Sequence, residues 1–167
     1  MSCLIIGDGP SSKNIEKHIN YNVDSVIGIH RSYNNYTNLI ITLDLREFKD
    51  KEQIGLDNNI SLIFGTNYKK SFEFLKKYEH LVKLIDVPNL SLTSGSFAIF
   101  WAIQNGYKNI YTAGIDYVSE TNEFYPSEHA LSFINKYLQE WNQKANIYKI
   151  SKISKINAIV KSPPINL

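Results

Sequence analysis

The stretch "LTSGSFAIFWAIQNGYKNIYTAGID", Leu92–Asp116, decides the fold. Its small polar opening, Thr93-Ser94-Gly95, precedes an apolar run from Phe97 to Ile103, so the spacing predicts a helix whose start lies at Thr93–Ser96. Gly106 ends that helix, and "NIYTAGI" (Asn109–Ile115) reads as a strand that stops at Gly114-Ile115-Asp116. A helix feeding a short apolar strand is the repeating unit of a parallel α/β sheet.

The same alternation runs outward in both directions. "CLIIG" (Cys3–Gly7), "SVIGIH" (Ser25–His30), "NLIITLD" (Asn38–Asp44), "ISLIFGT" (Ile60–Thr66), "VKLIDV" (Val82–Val87) and "NIYKIS" (Asn146–Ser151) read as further strands. "SSKNIEKHI" (Ser11–Ile19), "YKKSFEFLKKYEHL" (Tyr68–Leu81) and "SEHALSFINKYLQEWNQKA" (Ser127–Ala145) read as helices. The expectation is a three-layer, Rossmann-like α/β domain spanning 1–167, with about seven mostly parallel strands. Ligands of such sheets bind where the strands stop, at the switch in strand order. Asp8, His30, Asp44, Asp116 and Ser151 stand at those ends.

Composition narrows the function classes. With 43% hydrophobic and 20% charged residues, the chain is globular in character rather than disordered. A net charge of +2 gives no electrostatic footprint for nucleic acid. The single cysteine, Cys3, forms no internal disulfide and suits a reducing compartment. No apolar run approaches the ~20 residues of a membrane span, and "MSCLIIGDGP" lacks the pattern of a signal peptide. The expected location is cytoplasmic.

Two turns share one chemistry. "GDGPSS" (Gly7–Ser12) lies between the first strand and first helix, where glycines admit close backbone approach and helix N–H groups face an anion. It is neither the dinucleotide fingerprint nor a phosphate loop, and a plain strand–helix turn capped by Ser11 or Ser12 is its bland reading. Thr93-Ser94-Gly95 repeats the arrangement at a second helix start, where capping alone is again the bland alternative. Two such turns in one sheet suit a nucleotide, which offers several acceptors at once. His129 opens the last long helix and is the candidate general acid or base, against the frequent alternative of a surface histidine. No zinc spacing and no nucleophile elbow occurs. Asp8, Asp44 and Asp116 together form a set able to hold magnesium.

"LIIGDGPSSKNI" and "LTSGSFAIFWAIQNGYKNIYTAGIDY" resemble the sialyltransferases of glycosyltransferase family 42. Those enzymes begin with a strand and a Gly-Asn-Gly-Pro-Ser turn. They then carry a Thr-Ser-Gly turn, an apolar helix, a Gly-Tyr-Lys and a strand ending in Gly-Ile-Asp. More distant similarity runs to family 29 and to the MptE-like family, which includes a pterin pyrophosphokinase. The resemblance implies a CMP-activated sugar donor, a glycan acceptor and no metal or other cofactor. It places Gly7, Asp8, Gly9, Pro10 and Ser11 along the nucleotide, and Thr93, Ser94 and Gly95 on the nucleotide or the donor carboxylate. It makes His129 the base, with Tyr125 on the phosphate and Ser151 near the nucleotide. Asp8 replaces the family's asparagine, His30 and Asp44 replace its strand-end asparagines, and the segment from Asp116 to His129 is shorter than the family's lid.

Three functions follow as expectations: a sialyltransferase-type transferase, an MptE-like magnesium-dependent diphosphotransferase, and a nucleotide-binding module without turnover. Homo-oligomer formation is left open.

Overall fold

A computed structural model describes residues 1–13, 15, 22–30, 32, 37–43, 60–66, 82–87, 93–118 and 128–160. The strands are β1 (Ser2–Ile6), β2 (Ser25–Ile29), β3 (Leu39–Thr42), β4 (Ser61–Thr66), β5 (Val82–Asp86), β6 (Asn109–Ala113), β7 (Asn146–Lys149) and β8 (Ile159–Val160). They form one sheet in the order β5-β4-β3-β2-β1-β6-β7-β8, and every neighbouring pair is parallel. Among the described residues the sheet therefore has eight strands where the sequence suggests about seven. The addition is the two-residue β8, too short to leave a periodic signal. The expected helix over Tyr68–Leu81 lies outside the described residues. Of Ser11–Ile19, residues 14 and 16–19 do as well; Pro10–Ser12 form a single 3-10 turn.

Strand order sets the location of the crevice. From β1 the chain builds outward to β5 on one side, then returns to place β6 on the other side of β1. The loops leaving β1 and β6 thus part in opposite directions above the carboxyl ends of two paired strands. Register fixes this pairing, with Ile5 opposite both Ile27 and Thr112.

Both faces of the central strands are buried, which explains their unbroken apolar runs. Cys3 and Ile5 face one core with Ile27, Ile41, Ile110 and Ile147, while Leu4 and Ile6 face the other with Ile15, Val26 and Ala113. The first core receives α1 (Ser94–Gln104) and α2 (Glu128–Trp141). α1 starts at a Thr93–Ser96 capping box. It ends with Gly106 at φ +83°, where Gly106 N–H donates to the Ile103 carbonyl and Tyr107 N–H to that of Ala102. α2 buries Ile134, Leu138 and Trp141, a stripe at helical spacing. Among the described residues no helix is long and apolar enough to cross a membrane.

Phe97 is fully buried, and its ring packs against Gly65, where a Cβ would collide with it. Phe97→Ala is expected to cost about 3–5 kcal/mol, read as a lower urea midpoint with unchanged slope.

Candidate functional site

The site begins where β1 and β6 end. Gly7 N–H donates to the Ala113 carbonyl at 2.7 Å and Gly9 N–H to that of Gly114 at 2.9 Å, so the two turns stay zipped beyond their strands. Only glycine permits that approach. A Cβ on Gly7 would lie 2.6 Å from the Gly114 carbonyl oxygen, and one on Gly9 would lie 2.6 Å from Asp116 Oδ2. Gly114 itself is left-handed, at φ +71°, with the Gly7 carbonyl against the position of its missing side chain.

Ser11 locks the zipper. Its hydroxyl accepts from Gly114 N–H at 2.7 Å and donates to Asp116 Oδ1 at 2.6 Å, while its N–H donates to Asp116 Oδ2 at 2.7 Å. Asp116 is only 2% exposed. Burial pushes its carboxyl pKa up, against the lowering effect of the Ser11 and Ser154 hydrogen bonds and the Lys149 charge. The segment between β7 and β8 supports the same turn from below. Ser154 Oγ donates to the Ile115 carbonyl, Lys155 N–H to the Asp116 carbonyl, and Lys149 Nζ to the Ser154 and Ile156 carbonyls.

The start of α1 forms the facing wall. Thr93 Oγ1 accepts from Ser96 N–H and Ser96 Oγ accepts from Thr93 N–H, which completes the cap. Ser94 Oγ accepts from Leu43 N–H at 3.0 Å, tying the helix to the end of β3. That bond uses a lone pair, so the Ser94 hydroxyl proton can still be donated to a ligand. The N–H groups of Ser94 and Gly95 belong to the first turn, which has no intrahelical acceptors for them.

These parts enclose a cavity of about 450 Å³, within the range of small-molecule sites. The Gly7–Pro10 turn, the Thr93–Gly95 helix start, Ile29 and His30 line it together with Gly114–Val118. Two non-glycine residues among those described have positive φ, His30 at 55° and Tyr117 at 56°, and both line this cavity. Such a backbone costs about 1–3 kcal/mol and persists where its surroundings over-determine it, typically at binding sites. Thr42 Oγ1 lies 3.1 Å from His30 Nδ1, Asp8 accepts the Ser32 hydroxyl, and the Tyr117 hydroxyl lies 2.6 Å from Thr93 Oγ1.

Gly7, Asp8, Gly9, Pro10, His30, Thr93, Ser94, Gly95 and Asp116 therefore meet at one cavity, as their positions in the sequence suggest. Ser11 stands behind it as the latch. Ser151 is half-buried beyond β7, accepts from Ile153 N–H at 3.3 Å, and does not line the cavity. Asp44 and Tyr125 lie outside the described residues. His129 is exposed on the first turn of α2, its ring edge-on to Phe133 at 4.6 Å, and is also not part of the cavity lining.

Topology still puts His129 at the cavity's edge of the sheet, because α1 and α2 both descend from the carboxyl edge. The two helices meet at Phe100 and Trp141, whose ring centroids lie 6.1 Å apart.

Tyr117 is the residue that sequence reasoning misses. A left-handed tyrosine leaves no mark in a single sequence. For magnesium, Asp116 offers little, since both of its oxygens are engaged by Ser11. Among the described residues no three His, Cys, Asp or Glu side chains gather as a metal set.

Fold and site together define an α/β protein in which a helix start lines a cavity at the switch point of a parallel sheet. No protein-family model matches the chain, and no curated protein matches it either. Among solved structures it is similar to the sialyltransferase CstII from Campylobacter jejuni, determined in complex with the substrate analogue CMP-3FNeuAc. The TM-score is 0.65 at 18% identity, over 99% of this chain and 88% of that one. The chain has a sialyltransferase-like fold.

The raised pKa of Asp116 makes a prediction about stability. In the folded protein this carboxyl binds its proton more tightly than the ordinary 3.8. Its contribution is therefore full below 3.8 and is lost as pH rises through the folded value. Urea unfolding followed against pH is expected to show this component in the wild type and to lack it in Asp116→Asn.

Proposed function

We propose that this 167-residue chain is a single nucleotide-sugar-binding domain of sialyltransferase type, which transfers a sugar from a CMP-activated donor to an acceptor hydroxyl. The observation that carries the reading is the cavity at the β1–β6 parting, in a fold shared with a sialyltransferase solved with a CMP-linked analogue. The kinship with glycosyltransferase family 42 suggested by the two sequence motifs belongs to the same proposal.

The phosphate of the donor goes to the start of α1. There the Ser94 hydroxyl and the N–H groups of Ser94 and Gly95 are donors at the positive end of a helix dipole. The nucleoside then lies along the Gly7–Pro10 turn, whose glycines admit close contact, and beside His30. As the bond from the anomeric carbon to the phosphate oxygen breaks, negative charge grows on the phosphate, and these fixed donors stabilise it. The acceptor oxygen bonds to the anomeric carbon and its proton passes to His129, assigned as the base on the family resemblance. Tyr125 and Asp44 are assigned to the donor on the resemblance alone. Asp116 acts through Ser11 and Gly114, shaping the floor.

Thermal-shift titration with CMP, CDP, UMP, GDP and ATP, each with and without magnesium, tests this reading. CMP is expected to raise the melting temperature most, equally with and without the metal. Stabilisation by ATP or GDP only in magnesium would overturn it in favour of the diphosphotransferase. Ser94→Ala is expected to weaken CMP by about 1.5–3 kcal/mol, the worth of a hydrogen bond to a charged group. The same change orphans Leu43 N–H and lowers stability by about 1 kcal/mol. His129→Ala is expected to cut turnover by about 10²–10⁴-fold with CMP affinity preserved; full activity in that variant would remove the base from the scheme.

A further inference from the structure

Tyr117 takes no part in the chemistry described above, yet it is held in a conformation that tyrosine rarely adopts. It is 6% exposed, its backbone is left-handed, and it follows directly on the Asp116 that Ser11 clamps. Its hydroxyl lies 2.6 Å from Thr93 Oγ1, on the other side of the cavity wall. Thr93 Oγ1 is already the cap of α1, bonded by Ser96 N–H and 3.1 Å from Ser96 Oγ. Thr93, Ser96 and Tyr117 therefore form one closed hydroxyl cluster, in which cap and turn hold each other. Burial also pushes the phenol pKa up, so the hydroxyl keeps its proton across the physiological range.

This cluster changes the apportioning of roles at the helix start. Thr93 Oγ1 is engaged by two partners, so the donors left for a ligand are those of Ser94 and Gly95. Their aim depends on how the first turn of α1 sits relative to the Gly114–Asp116 turn. Two contacts fix that seat, Ser94 Oγ to Leu43 on the β3 side and Thr93 to Tyr117 on the β6 side.

We propose that Tyr117 is a positioning residue: its hydroxyl on the Thr93 cap fixes the first turn of α1 so that Ser94 and Gly95 meet an anionic group in the cavity. The identity of that group as a CMP phosphate rests on the proposed function; the fixing of the helix start does not.

The test uses the full chain and Tyr117→Phe, which removes the hydroxyl and keeps the ring. Two quantities are read: calorimetric affinity for CMP and for cytidine, and amide hydrogen exchange at Ser96 and Phe97. The expected result is a three- to tenfold loss of CMP affinity, about the worth of one hydrogen bond, with cytidine unchanged. Exchange at the two amides is expected to quicken while the strands stay protected. An equal loss for both ligands, or unchanged CMP affinity, overturns the proposal, because a merely structural contact does not single out the phosphate. Exchange identical to wild type also overturns it. If the wild type binds neither ligand, the nucleotide reading fails, and exchange alone decides the role of Tyr117. Should Tyr117→Phe not fold, Thr93→Val breaks the same contact from the helix side and is read in the same way against Thr93→Ser, which retains the hydroxyl.

Discussion

Two backbone hydrogen bonds, Gly7 N–H to Ala113 and Gly9 N–H to Gly114, hold together the loops that leave β1 and β6. In most parallel sheets the loops at a switch point diverge at once and leave a cleft between them. Here they run side by side for several residues before parting, so the floor of the cavity is backbone. A side chain at Gly7, Gly9 or Gly114 would push the two turns apart. With them would go the Ser11–Asp116 latch and the seat of Tyr117, which begins immediately after Asp116. The glycines are thus a condition for the site rather than contacts within it.

A second constraint is electrostatic. The ligand proposed for the cavity is an anion, yet a buried carboxylate forms part of its lining. Asp116 is tolerable there because Ser11 donates to both of its oxygens and Lys149 lies near enough to lower its cost. The carboxylate turns toward the first turn of the chain, and the positive end of α1 is left to the ligand. Strain is concentrated in the same place. The left-handed residues His30 and Tyr117 both face the cavity, as expected where rigid surroundings hold groups for binding.

Much of this was legible in the sequence, for definite reasons. Strands buried on both faces leave unbroken apolar runs, and Thr93 with Ser96 marks a helix start, so β1, β6 and α1 could be placed within a residue or two. The two glycine turns were visible because close backbone contact demands glycine. What remained hidden depends on distance in the chain. Ser11 reads locally as a cap, and its bond to Asp116 spans 105 positions. The Tyr117–Thr93 contact relies on a positive φ that any residue type conceals. Ser151 looks equivalent to the other strand-end residues, but its hydroxyl accepts from the backbone N–H of Ile153 in its own turn. His129 follows a segment outside the described residues and is exposed, apart from the cavity lining.

The central claim is that the parting of β1 and β6 receives a nucleotide with its phosphate on α1. A crystal structure of the chain with CMP addresses it most directly. The account predicts the phosphate within hydrogen-bonding distance of Ser94 Oγ and Gly95 N–H, with the nucleoside along the Gly7–Pro10 turn. A nucleotide bound elsewhere, or bound here with its phosphate turned away from α1, would contradict it.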